Sequence, residues 1–178
     1  HESSKLRNIM ASRMRATGLN VRTQDFDAQL EKVESIDDVF GREYQQLAIR
    51  ERIIDGKSKR FANIHGETEQ IVHNLIAGQG YNSNDFEYYL LDNKEVNANI
   101  YRYDNKVFVN LGLLRQLINA GASKDAVAFV LAHELRHINQ WADDLLQGKV
   151  ESITNQDSTL FHGDEYDSDA YALPMMDA

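Results

Sequence analysis

The chain has 178 residues and a net charge of −9, with 42% hydrophobic and 26% charged residues. This size gives one domain with a real core, and the composition is that of a globular protein. The acidic balance argues against nucleic-acid binding, because a phosphate backbone attracts a basic surface. No apolar run approaches the roughly 20 residues of a membrane-spanning helix. The absence of cysteine removes disulfides, thiolate metal sites and cysteine nucleophiles.

The first part of the chain, up to about residue 60, is predicted to be helical. The stretch LRNIMASRMRATG has apolar residues at helical spacing and stops at Gly18. The segment from Ile36 to Asp55 repeats this pattern. A further helix is predicted from about Glu67 to Gly78.

The pattern changes after Gly80. The stretch DFEYYLLD predicts a strand, and ANIYRYDNKVFVN predicts a hairpin with YDNK as its turn. LGLLRQLINAG predicts a helix that ends at Gly121. Ser123 is expected to cap a long helix from about Lys124 to Leu146, and a last helix is predicted from about Thr159 to Leu173. Helices, a small sheet and two further helices make an α+β fold.

One motif carries chemistry, LAHELRH at residues 131–137. On a helix, His133 and His137 lie one turn apart on the same face, so both imidazoles reach one ion at the roughly 2 Å that zinc needs. Glu134 follows the first histidine, where it can take a proton from metal-activated water. The preceding AVAFVLA indicates a buried helix, in which His and Glu side chains require partners. The motif therefore predicts a metal site rather than an exposed charged helix.

A catalytic zinc site needs a third protein ligand and an open position. Asp143 is one candidate, but Gln140 stands where a glycine would let the helix turn back, so Asp143 is expected to point away from His137. Glu165 is the better candidate, since it can complete a His-His-Glu site. Asp169, four residues later, shares a helix face with it and can accept the free N–H of a ligand imidazole.

Other interpretations of these residues are weaker. The acidic stretch 164–169 also suits a solvated helix start. Glu134 and His137 match the Glu-x-x-His unit of di-iron bundles, which needs a second such pair that the sequence lacks. His65 and His73 show no metal spacing to a partner and are expected to be packed or surface histidines.

HELRH followed by EYDSDA resembles the signature of the gluzincin metallopeptidases of the HtpX, Oma and CAAX-prenyl-protease type, HExxH followed by Glu-x-x-x-Asp-Ala or a close variant. Upstream, EVNANIYRYDNKVFVNLGLL and DAVAFVLAHELRH are similar to the family's approach to that motif, so the likeness covers about residues 65–178. It implies a zincin-like α+β domain with a small mixed sheet, an active-site helix carrying HExxH and packed N-terminal helices. The single domain, 1–178, would consist of a helical segment, 1–60, and a catalytic core, 61–178.

The resemblance also implies the chemistry. His133, His137 and Glu165 become the ligands of one zinc ion per chain, Glu134 the general base and Asp169 the residue that orients a ligand histidine. The chain would then be a zinc metalloendopeptidase, a hydrolase of peptide bonds.

The substrate implied by the resemblance is a peptide or an unfolded protein bound in extended form. The strand at Asn97, Ala98 and Asn99 would line the cleft, because an edge strand offers free N–H and C=O groups to a peptide backbone. The same resemblance implies a bacterial cell envelope or periplasmic location.

Two departures from the family keep an alternative open. Arg136 stands where the family usually has a small residue, and the oxyanion-stabilising group is unassigned, with His162, Tyr166 and Tyr171 as nearby candidates. The alternative function is a catalytically silent or autoinhibited, zinc-bound module that binds peptides in the manner of a chaperone.

Overall fold

The computed structural model describes residues 2–40, 52–150 and 159–160. The helices in these ranges are α1 (Glu2–Thr17), α2 (Thr23–Phe40), α3 (Ala62–Gly78), α4 (Leu111–Asn119), α5 (Lys124–Leu135) and α6 (His137–Leu146). The strands are β1 (Glu87–Leu91), β2 (Ala98–Ile100), β3 (Lys106–Asn110) and β4 (Thr159–Leu160), and a 3₁₀ turn at Ser83–Asp85 precedes β1.

The sheet is small and mixed, with the order β1-β3-β2-β4. Strand β1 runs parallel to β3, with Tyr89 opposite Phe108. Strands β2 and β3 form the predicted antiparallel hairpin, whose turn contains Tyr103 at a φ of 61°. The observed α+β class and the mixed sheet confirm these parts of the prediction.

The core lies between the sheet and the helices. Helix α5 packs against α3 and β2, while α1 and α2 both pack against α6. Apolar residues of every described helix and of β1 to β3 form one buried cluster, which includes Ile9, Leu30, Ile76, Ile100 and Leu131. The N-terminal helices are therefore part of the same core as the HELRH motif.

Glycine is required at the start of α4. The N–H of Gly112 donates to the carbonyl of Asn93 at 2.9 Å, and a Cβ at Gly112 would collide with the backbone of Lys94. Only glycine permits this close approach. The contact holds the loop that leads into β2.

Several predicted elements differ from the structure. Helix α2 lies within the segment predicted to be helical, but no separate helix with these bounds is predicted, although Phe26, Leu30 and Val33 have helical spacing. The helix predicted from Ile36 to Asp55 is wrong at its end, because Ile53 pairs with Leu91 as a β-bridge; residues 41–51 lie outside the described ranges. Likewise, 159–160 form a strand instead of opening a helix.

The long helix predicted from Lys124 to Leu146 is two helices that meet at Arg136. The N–H of Asn139 bonds to the carbonyl of Arg136, three residues back, at 3.1 Å, which tightens the backbone locally. Apolar periodicity continues across this turn, so the sequence pattern alone does not reveal it. Within the described ranges, no helix is long and apolar enough to cross a membrane.

Candidate metal centre

The HELRH motif lies at the junction of α5 and α6. Helix α5 begins as predicted, with the side chain of Ser123 accepting a hydrogen bond from the N–H of Ala126 at 3.1 Å. Val130 and Leu131 anchor it in the core. His133 and Glu134 follow in its last turn. His137 is the first residue of α6.

The two histidines remain close despite the helix boundary between them. Arg136 keeps right-handed helical dihedrals, with φ of −59° and ψ of −24°. His133 and His137 are therefore still separated by about one helical turn, roughly 6 Å of rise. The predicted pairing of these two side chains is compatible with the broken helix.

His137 is held in the form that binds a metal ion. Its Nδ1 lies 2.7 Å from Oε1 of Gln140, and because an amide oxygen only accepts, Nδ1 carries the proton and Nε2 keeps its lone pair. Burial lowers the pKa of His137, and the charge of Arg136 lowers it further, against the opposing effect of the hydrogen bond to Gln140. Metal binding requires this neutral imidazole.

Arg136 lies beside the other histidine. Its Nη2 is 3.5 Å from Nε2 of His133, at the outer limit of a hydrogen bond. A metal ion can bind that nitrogen only after the guanidinium moves away. The side chain of Arg136 is exposed, so water can solvate the guanidinium in its new position. The bulky residue noted in the sequence thus contacts a predicted ligand.

Glu134 is only 4% exposed. A buried carboxylate is costly unless its surroundings compensate for the lost water. Asp85, which is 6% exposed, has a structural explanation, because Asn8 donates to it at 3.0 Å. Glu134 is likewise buried, next to His133 in the last turn of α5.

The predicted third ligand lies outside the described residues. Glu165, Asp169 and the three oxyanion candidates all fall in 161–178. Across 2–40, 52–150 and 159–160, no three His, Asp or Glu side chains are grouped to hold a metal ion. A metal site that uses both histidines and a third protein ligand therefore needs a residue from outside the described ranges. Glu165 is one of the residues there.

Asp143, the rival ligand, is engaged elsewhere. Its two carboxylate oxygens accept hydrogen bonds from Nε and Nη2 of Arg13 at 2.6 and 2.9 Å. This fits the expectation that Asp143 points away from His137. The candidate groups that remain near the motif are two partly buried histidines and a neighbouring buried carboxylate.

The predicted substrate strand lies beside the motif but is not a free edge. Strand β2 packs against α5, and Ala98 is buried at 3% exposure. On its far side β2 pairs with β4, with Asn99 opposite Leu160 and Ile100 opposite Thr159. The expectation of an open edge is wrong at Asn99, because a later segment of the same chain already supplies the neighbouring strand.

Asn97 is tied into the sheet by Asn110. Its carbonyl accepts the N–H of Asn110 at 3.2 Å, and its side-chain oxygen accepts from the amide of Asn110. Asn110 is itself 2% exposed. The Asn97–Asn110 pair joins β2 and β3 at the end of the hairpin opposite its turn.

A comparison with family models decides the relationship. The model described as Peptidase family M48 matches residues 62–153, more than half of the chain. The chain belongs to peptidase family M48. The match confirms the resemblance to the HtpX- and Oma-type peptidases. Comparisons with curated proteins and with solved structures give no match.

The M48 match includes HELRH and the sheet up to β3, and it leaves α1 and α2 outside. Gln140 contacts a predicted ligand in the structure, whereas in the sequence it only marks a position without glycine. Its signal was the spacing from His137, three residues along a helix, where side chains are neighbours. Many glutamines share that spacing, so the hydrogen bond itself was needed to identify it.

Proposed function

We propose that this M48 peptidase is a zinc-dependent metalloendopeptidase. The observation that carries the proposal is His137, whose Nδ1 proton is held by Gln140 at 2.7 Å. Metal-binding histidines characteristically donate their second ring N–H to such an acceptor. His133 and the buried Glu134 occupy the adjoining turn of α5.

The proposed ligands of one zinc ion per chain are His133, His137 and Glu165. Asp169 is proposed to orient a ligand imidazole. Gln140 already accepts the ring N–H of His137. We therefore assign Asp169 as the acceptor of the ring N–H of His133. Each ligand histidine then has its own orienting acceptor.

A bound zinc ion would supply a Lewis acid that acidifies water and polarises a peptide carbonyl. Glu134 acts as the general base, taking a proton from the attacking water and delivering it to the leaving amine. Its burial at 4% exposure keeps bulk water from competing for that proton. Arg136 has to leave Nε2 of His133 before the centre is complete.

The proposed substrate is a peptide or an unfolded protein in extended form. Strand β2 packs on the motif-bearing helix α5, so a peptide aligned with β2 would pass the motif. Backbone pairing of this kind accepts many sequences. At Asn99 and Ile100 such a peptide has to replace β4.

The proposal is tested by digestion of casein. We expect zinc-loaded protein to cut within the casein chain, and a chelator to stop the cutting, because water activation depends on the metal. Fragments are sized by mass spectrometry. Undigested casein in the presence of zinc-loaded protein would instead support the silent peptide-binding module.

The pairing of β4 with β2 favours one form of the alternative, an autoinhibited peptidase. Replacing both residues of β4 with proline, Thr159→Pro/Leu160→Pro, removes two backbone N–H donors and prevents strand pairing. We expect the casein cleavage rate to rise, because the edge of β2 that pairs with β4 becomes available to substrate. The measurement is the initial cleavage rate at equal zinc loading.

The matched control for this change is Thr159→Ala/Leu160→Ala, which keeps both N–H groups. Its rate should stay close to that of the unaltered chain. Equal rates for the proline and alanine variants would show that β4 does not restrict access.

A further inference from the structure

Helix α6 has 10 residues and follows α5 after a local tightening of the backbone at Arg136. The turn at Arg136 separates it from α5, and it has no side-chain cap at its N-terminus. Its buried face consists of Ile138, Trp141, Ala142, Leu145 and Leu146. Polar contacts of defined geometry add orientational specificity to this apolar packing.

The first such contact comes from α1. Arg13 donates from Nε to Oδ1 of Asp143 at 2.6 Å and from Nη2 to Oδ2 at 2.9 Å. The two side chains are 20% and 32% exposed, and the hydrogen bond to Asp143 raises the pKa of Arg13. A two-pronged pair of this kind contributes geometric specificity as well as energy.

The second contact comes from the turn after α3. The hydroxyl of Tyr81 donates to Oδ1 of Asn139 at 2.6 Å, two residues after His137. Tyr81 is 5% exposed, and burial raises its pKa to about 12, so the hydroxyl keeps its proton. Gly80, at a φ of +96°, turns the chain so that Tyr81 leaves α3 towards α6.

We propose that Arg13 and Tyr81 are positioning residues that hold α6, and through it the ring of His137, in register with His133 on α5. The inference rests on the proposed function in assigning both histidines to zinc. Helix α1 lies outside the M48 match, so this chain uses a segment beyond the family core to support its metal centre. Arg13 and Tyr81 act through Asp143 and Asn139 and touch neither metal nor substrate.

The test compares Arg13→Gln with Arg7→Gln in the full chain. Arg7 forms an ion pair with Asp27 of α2, so its replacement perturbs the same helix without touching α6. Zinc affinity is measured by chelator competition, and metal geometry by the visible absorption spectrum of the Co²⁺-loaded protein. We expect Arg13→Gln to weaken zinc binding by up to about 10-fold, the lower end of the range for residues that contact a ligand directly, and to shift the Co²⁺ bands. Arg7→Gln should do neither.

Two further measurements protect the test from poor folding and from failure of the zinc assignment. Tyr81→Phe keeps the buried ring and removes only the hydroxyl, and it should change zinc affinity and the Co²⁺ spectrum in the same direction. In metal-free protein, amide hydrogen exchange of residues 137–146 should be faster in Arg13→Gln than in Arg7→Gln. If the unaltered chain binds no zinc but the two variants still differ in exchange, the proposed function is refuted and the positioning role is not. The positioning role would be overturned if Arg13→Gln and Tyr81→Phe both match the unaltered chain in zinc affinity, Co²⁺ spectrum and amide exchange.

Discussion

Replacing Glu134 with glutamine is expected to lower peptide-bond cleavage by about 10² to 10⁴, the usual contribution of proton transfer by a positioned side chain. Glutamine keeps the size and hydrogen-bonding capacity of glutamate but does not accept the proton of the attacking water. Glu134 follows His133 by about 100° around the helix and is not a proposed ligand. Zinc content and thermal melting temperature should therefore stay unchanged.

The measurement is the cleavage rate of a peptide substrate at matched zinc content. Glu31→Gln, at an exposed position on α2, makes the same chemical change away from the centre and should keep full activity. A structural role for Glu134 predicts a lower melting temperature with cleavage largely retained. That pattern would contradict the assignment of Glu134 as general base.

Replacing Glu165 with alanine is expected to remove most of the bound zinc, because a site with two histidines alone lacks the third protein ligand of a catalytic centre. Asp169→Asn should weaken binding only roughly 10- to 100-fold, the effect of an outer partner. Elemental analysis and chelator competition measure the two effects. Asp164→Ala removes a neighbouring carboxylate and should leave zinc stoichiometric.

Asp143→Ala distinguishes the two roles considered for Asp143. As the partner of Arg13 it should lower affinity yet still fill with one zinc per chain when zinc is saturating. The ligand assignment would be reversed if Asp143→Ala binds no zinc under those conditions while Glu165→Ala binds one zinc per chain.

Local signals account for what the sequence predicted correctly. Ser123 ahead of an apolar run predicted the start of α5, which its hydrogen bond to Ala126 confirms. YDNK predicted the hairpin turn, and the apolar run AVAFVLA before HELRH predicted that the motif lies on a buried helix. These features depend on residues a few positions apart, so a single sequence contains them.

Contacts between distant segments account for what the sequence did not predict. Arg13 and Asp143 are separated by 130 residues, and no local pattern pairs them. The strand at 159–160 exists through its pairing with β2, whereas its own sequence suggested a helix. The turn at Arg136 preserves apolar periodicity, so α5 and α6 were expected to be one helix. Gln140 acquires its role only from the placement of the His137 ring.

The most direct test of the account is the cleavage rate of metal-free protein as zinc is added in measured equivalents. If His133, His137 and Glu165 form one catalytic site per chain, cleavage starts near zero, rises with added zinc and reaches its plateau at one equivalent. Magnesium, which prefers oxygen ligands in octahedral geometry, should not restore it. Cleavage that is already complete before zinc is added, or that never appears after one equivalent is bound, would contradict the assignment of this chain as a zinc metalloendopeptidase.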